Sequence, residues 1–199
     1  MHTTKSWRNH TGLMLLAAFV TALAGVAAFT SIDSNTSQTW GWENFTPAGA
    51  QEVEKYETFE DMAVSSDLTL VSKIEKIQHG RSIVDESGDA LVFSEWILKG
   101  ADGEVIVEQP LFNVEDGADT RAVVTRLDKA KPSNEFVFFL REKADRPGTY
   151  RLVNLAGLWS GTDAGLVAPL AEEHEVERLV EIAGAPTSLE QLELLASKN

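Results

Sequence analysis

The hydrophobic pattern divides the chain into three stretches. Residues 12–29 form an uninterrupted run of 18 residues with no charge and Thr21 as its one polar side chain. As a helix rising about 1.5 Å per residue, such a run reaches roughly 27 Å, close to a hydrocarbon core, and it lacks the amphipathic pattern of a buried globular helix. Residues 30–52 are rich in Ser, Thr, Asn, Gln and Gly, with Pro47 as a breaker, and predict a flexible polar spacer. Trp40, Trp42 and Phe45 interrupt that polarity and are expected to dock in part on the domain that follows.

From residue 53 the pattern changes to short segments. Thr58 followed by Asp61 fits a helix cap, in which the hydroxyl accepts an orphan amide and the acid suits the positive helix end. A short helix then places Phe59, Met62 and Ala63 on one face. Residues 68–78 alternate in part and predict a long strand, bulged where the period slips, that turns at Gly80 or Gly88. Residues 90–98 predict a second strand, with Leu91, Phe93 and Ile97 facing one way and Val92, Trp96 and Leu98 the other. Asp102-Gly103 turns the chain into a short strand at Val105, Ile106 and Val107, which Pro110 ends.

The acidic stretch 113–120 reads as a loop, 123–127 as a minor strand and 129–134 as a connection. Residues 136–140 are all apolar, so both faces of the strand they predict must be covered. Arg146-Pro147-Gly148 turns the chain into a strand over 150–155, and 166–168 supply a last short one before Pro169. In the tail, Val176, Leu179, Val180 and Ala183 keep helical spacing until Gly184 and Pro186 stop it. Thr187 with Glu190 forms a capping box for a helix carrying Leu189, Leu192 and Leu195.

The fold class this predicts is mainly β: an OB-like β-barrel of five to seven antiparallel strands over residues 53–169. A short N-terminal helix belongs to it, two C-terminal helices in residues 170–199 pack on it, and one transmembrane or signal helix in residues 1–29 precedes it. Closure favours the barrel because it removes exposed strand edges; an open antiparallel sheet covered by the helices is the alternative.

Charge narrows the function. Setting aside Lys5 and Arg8 of the leader leaves 15 bases against 31 acids in residues 30–199, a net charge of −16. Such a domain repels polyanions, and nucleic acid is excluded as a partner. The chain has no cysteine, which removes disulfides, thiolate catalysis, Cys-ligated zinc and a lipid-modified cysteine together. The leader carries its bases before the apolar run, while Asp33, Glu43, Glu52 and Glu54 follow it, so the body of the chain is expected outside the cytoplasm. Residues 12–29 serve either as a membrane anchor or as a signal cleaved at a small-x-small pattern such as Ala22 and Ala24 or Gly25 and Ala27.

Four segments carry a family likeness: Tyr56-Glu57-Thr58-Phe59-Glu60-Asp61-Met62-Ala63-Val64-Ser65-Ser66-Asp67, the strand over 68–77, Leu98-Lys99-Gly100, and Phe138-Phe139-Leu140-Arg141. Together they resemble a class of uncharacterised exported bacterial domains that are similar to the netrin and metalloproteinase-inhibitor barrel, an OB-type fold. The resemblance spans about residues 56–169 and consists of core positions, so it implies a fold rather than an activity. Ser72 departs from it, standing where that strand often has Gly. The inhibitors act through an N-terminal cysteine that this chain lacks, so inhibition does not carry over.

Groups suited to catalysis are sparse. Beyond the leader stand two histidines, His79 beside a turn and His174 in an acidic helix. Ser160, in Gly157-Leu158-Trp159-Ser160-Gly161, does not match the Gly-x-Ser-x-Gly nucleophile elbow, and no phosphate-cradling Gly-x-x-x-x-Gly-Lys loop occurs. Asp85, Glu86 and Asp89 gather oxygen ligands around Gly88, without the spacing of a twelve-residue calcium loop; weakly bound calcium is the one cofactor this leaves open. Trp159 among glycines, with Trp96 and Tyr150, is the candidate aromatic recognition surface. These features point to a non-enzymatic binding module of the bacterial envelope, whose partner is a protein or wall component. The competing expectations are a metal-dependent hydrolase using carboxylates with His79, and an anchored assembly factor whose C-terminal helices engage a membrane partner.

Overall fold

A computed structural model describes residues 40–46, 54–84, 86, 90–114, 117–163, 165–182 and 184–196. The leader and most of the spacer therefore lie outside the described residues, and no described helix is long and apolar enough to cross a membrane. All described residues fall in one compact unit, Ser37–Asn199. It is mainly β, with a curled, barrel-like sheet and a few helices.

In chain order the elements are α1 (Phe59–Val64), β1 (Leu68–Ser72), β2 (Ile74–Val84), β3 (Ala90–Gly100), β4 (Gly103–Pro110), α2 (Thr120–Ala130), β5 (Phe136–Lys143), β6 (Arg146–Leu152), β7 (Leu158–Thr162), β8 (Gly165–Val167), α3 (Glu173–Val180) and α4 (Leu189–Ala196). The strands follow the order β2-β3-β4-β6-β5-β7-β8, and β1 pairs with β5. Because β1 and β2 are interrupted only at Lys73, they are two halves of one bent segment. Its first half bonds β5, from Leu68↔Leu140 to Ser72↔Phe136, and its second bonds β3. The pairings thereby return on themselves and curl the sheet. Ser72 sits at the bend, where its hydroxyl accepts from Lys99 N at 3.1 Å and donates to Lys73 O at 3.0 Å. A glycine there would supply no such link between the bend and β3.

Burial explains the run at 136–140. Phe136, Phe138 and Leu140 face a first cluster with Ile74, Ile77, Trp96, Leu98, Val107 and Leu158. Val137 and Phe139 face a second with Phe59, Met62, Trp159, Leu179 and Leu192, supplied by α1, β7, α3 and α4. Successive side chains point to opposite faces, so a strand with both faces covered must be apolar at every position. The N-terminal segment joins the first cluster: Trp40, Trp42 and Phe45 all lie within 6.2 Å of the Trp96 ring. Trp40 Nε1 donates to Leu127 O at 3.1 Å, and Asn113, in the left-handed region at φ 52°, donates through Nδ2 to Glu43 O and Thr46 O. The expected docking of these aromatics is what the structure has.

Several expectations change. Residues 123–127 lie in the helix α2, not a strand: Val124 and Leu127 are its buried positions, at i, i+3, and Asp119 caps it by accepting from Arg121 N at 2.9 Å. The adjacent β-branched valines mimicked strand composition, but the polar residues around them keep the helical period. The sheet is not wholly antiparallel, because β4 and β6 pair in parallel at Ile106↔Thr149 and Val107↔Tyr150. Gly80 makes no turn; it lies within β2 at a register shift between His79 and Ser82, where a Cβ would come 2.9 Å from Phe93 O. The β5–β6 turn falls at Ala144–Asp145, two residues before the expected one, and Arg146 already begins β6. The last cap shifts by one residue: Ser188 Oγ accepts from Gln191 N at 3.3 Å, and Gln191 Oε1 accepts from Thr187 N at 2.9 Å.

If both faces of β5 carry the fold, Phe138→Ala and Phe139→Ala, one in each cluster, each lower unfolding free energy by about 3–5 kcal/mol in urea denaturation. Leu91→Ala, at a side chain 41 % exposed, stays within about 0.5 kcal/mol.

Candidate binding groove

The structure separates the sequence-predicted aromatic residues. Trp96 is fully buried in the first cluster and Tyr150 packs against the same cluster, whereas Trp159 is fully buried in the second. The Trp159 indole donates to Ala156 O. Strand β5 lies between the clusters, so the three do not share a surface. Of the candidate calcium loop, Glu86 is exposed, and Asp85 and Asp89 lie outside the described residues. Among the described residues, no three metal-ligating side chains gather. Ser160 is buried in β7, and His174 is exposed beside Glu172. His79 is half-buried, its Nε2 3.2 Å from Thr120 Oγ1.

Two polar arrangements were not anticipated. The first covers the outward face of β2, β3 and β4. Cross-strand neighbours Glu95 and Glu108 would repel, and Arg81, Lys143 and Arg146 converge on them. The Glu108 side chain is fully buried, with Lys143 Nζ 2.6 Å from Oε2, Arg146 Nη1 2.7 Å from Oε1 and Arg81 Nη2 donating to Oε2 at 3.1 Å. Arg81 Nε stands 2.9 Å from Oε1 at an angle unsuited to a hydrogen bond, a charge contact only. Arg146 also reaches Glu95, and Arg81 and Lys143 both reach Asp145. Arg81 and Lys143 each lie 5.4 Å from the centre of the Phe93 ring. Three cations thus meet three carboxylates, and the cluster is neutral. Burial alone would push the Glu108 carboxyl up, but hydrogen bonds from Lys143, Arg146 and Arg81 more than offset it and hold it below its ordinary 4.5.

The second arrangement is a groove of about 580 Å³ between β2 and α2. Strand β2 ends the sheet path, with β3 on one edge and no ladder partner among the described residues on the other. Helix α2 stands beside that open edge and turns Arg121, Val124, Thr125 and Asp128 toward it, at spacing i, i+3, i+4, i+7. Asp128 Oδ1 accepts the Ile77 amide at 2.8 Å, capping one edge donor with a carboxylate. Burial would raise the Asp128 carboxyl, yet the Ile77 amide, Lys131 and Lys76 hold it below 3.8. Further along, Lys76, Gln78, His79 and Gly80 line the wall. Lys76 and Arg121 have no ion-pair partner among the described residues, in a domain whose charges are otherwise mostly acidic.

The signal that would have exposed this groove is the helical spacing of residues 121–128, obscured once 123–127 is read as a strand. Set against protein-family models, curated proteins and solved structures, the chain gives no match.

Since the folded Glu108 carboxyl titrates below its unfolded value, its contribution to stability is complete above about pH 4.5 and is lost as pH falls through the lower folded value. Urea midpoints taken from pH 7 downward are expected to fall in that window. Glu108→Gln, which takes from Arg81, Lys143 and Arg146 the carboxylate they share while leaving them Asp145 and Glu95, removes about 1–3 kcal/mol at pH 7 and flattens that pH dependence.

Proposed function

We propose that this chain is an extracytoplasmic, non-enzymatic binding module with an OB-type barrel, held at the membrane through residues 12–29 or released after their cleavage. Strand topology carries the reading. Counting β1 and β2 as one bent strand, the order is first, second, third, fifth, fourth and back to the first. The third and fifth run in parallel, and a helix joins the third to the fourth. That order supports an OB-type barrel, a scaffold that commonly displays a ligand-binding face rather than a catalytic centre, and with it the likeness to netrin-type domains.

Charge supports the choice of partner class. On this topology the usual ligand face corresponds to the outward side of β3 and β4, where the cations are already matched by carboxylates. Such a face has no surplus charge for a phosphate backbone, which favours a protein or wall component over nucleic acid.

A reporter enzyme active only outside the cytoplasm, fused after Asn199, is expected to be active, and crosslinking in intact envelopes should capture a defined partner. Activity of the reporter only in the cell interior would overturn the compartment. Turnover of a hydrolase substrate that is lost in His79→Ala would overturn the non-enzymatic reading.

A further inference from the structure

The open edge of β2 holds more than one unpaired backbone group. In an antiparallel ladder, alternate residues direct both N–H and C=O to the same edge. Ile77 directs its amide outward to Asp128, and the ladder Ile77↔Trp96, Gln78↔Glu95, His79↔Ser94 is regular, so His79 presents its N–H and C=O to the groove as well. Gly80 follows, at a position where the chain tolerates no side chain on its β3 side. An edge of this kind is a template for another strand unless it is blocked. Asp128 blocks it at Ile77 and leaves it open at His79.

The groove also has a charge preference. Lys76 on β2 and Arg121 on α2 flank it without ion-pair partners among the described residues, and Val124 supplies an apolar floor between them. Asp128 offsets part of the Lys76 charge, while its Oδ1 is taken by the Ile77 amide and by Lys131, whose own charge balances it in turn.

We propose that this groove receives an extended acidic peptide that adds as a strand to β2 at His79, its backbone paired with the open edge and its carboxylates held by Lys76 and Arg121. Main-chain hydrogen bonds supply much of the affinity in such strand addition, and side-chain pockets supply selectivity. The inference rests on the binding reading above and names the class of partner.

The probe is a capped, fluorescently labelled peptide of alternating Val and Glu, titrated by anisotropy against the full chain in detergent micelles, with hydrogen exchange mapping the amides it protects. New protection is expected at the His79 amide, and Lys76→Glu and Arg121→Glu should each weaken binding about tenfold. Near-ultraviolet circular dichroism checks that both variants keep the native fold. A Val-Lys peptide should bind far more weakly. A Val-Glu peptide N-methylated along one backbone edge keeps its charge and should lose affinity; equal binding would reduce the groove to a simple anion site and overturn strand addition. Protection elsewhere, or equal affinity for a DNA oligonucleotide competing at the same residues, would overturn it too. If the acidic peptide fails while envelope crosslinking still captures a partner, strand addition falls and the binding reading stands; failure of both removes both.

Discussion

The fold depends on burying both faces of one strand. Five consecutive residues of β5, Phe136 to Leu140, are withdrawn from water, three into one cluster and two into the other. At about 1.5–3 kcal/mol for each large apolar side chain, neither face can be left uncovered in a domain whose net stability is about 5–15 kcal/mol. The bent segment β1–β2 and the N-terminal aromatics cover one side, and α1 with the C-terminal helices covers the other. The backbone of β5 is constrained as tightly: β1 lies along one edge, while β6 and then β7 share the other. Bonding β6 to both β5 and β4 is what draws the sheet into a curl.

Burial alone does not fix the register of that curl; charge contributes. Glu108 on β4 is gripped by residues of β2, β5 and β6, so a slip of any of these strands would leave a buried carboxylate partly unpaired. Elsewhere on the sheet, Arg141 and Arg151 face each other across β5 and β6, a repulsive pair. Glu54 resolves it, accepting from Arg141 Nη1 through both oxygens at 2.8 Å and from Arg151 at 3.2 Å, while Tyr56 also donates to it. In the Glu108 cluster three carboxylates meet three cations and no charge is left over, whereas Glu54 answers two arginines and leaves a net charge of +1. A buried ion pair costs desolvation and need not raise stability, but removing one partner is strongly unfavourable. Register is the property such pairs fix.

What was legible in the sequence follows from this division. The buried run of β5, the cap at Thr58 and the docking of Trp40, Trp42 and Phe45 were readable because each depends on local composition or period. The α2 helix was not, because Val123 and Val124 resemble strand residues and its buried face is only two side chains wide. The parallel β4–β6 pair was not, because no local feature encodes which distant strand Ile106 and Val107 will meet. Glu108 gave no sign of its role, being one acid among 31, and the cations that hold it come from two distant segments, Arg81 from one and Lys143 and Arg146 from the other. The groove was missed for the same reason: Asp128 and Ile77 stand 51 residues apart in the chain.

An acidic domain that attracts an acidic peptide needs reconciling. The net charge of −16 in residues 30–199 acts over long range, whereas Lys76 and Arg121 act at contact. At physiological ionic strength the screening length is about 8 Å, so acids on the far side of a domain roughly 30 Å across contribute little at the groove. Within it, a cation close to a ligand carboxylate is worth about 1 kcal/mol in a solvent-like setting and several times that where water is partly excluded. The local field therefore decides equilibrium binding, while the distant acids slow the approach of any acidic ligand, more so as salt is lowered. Association governed by opposing long- and short-range fields favours partners that present their carboxylates in an extended, already ordered strand, because the backbone bonds to His79 add an attraction that salt does not screen.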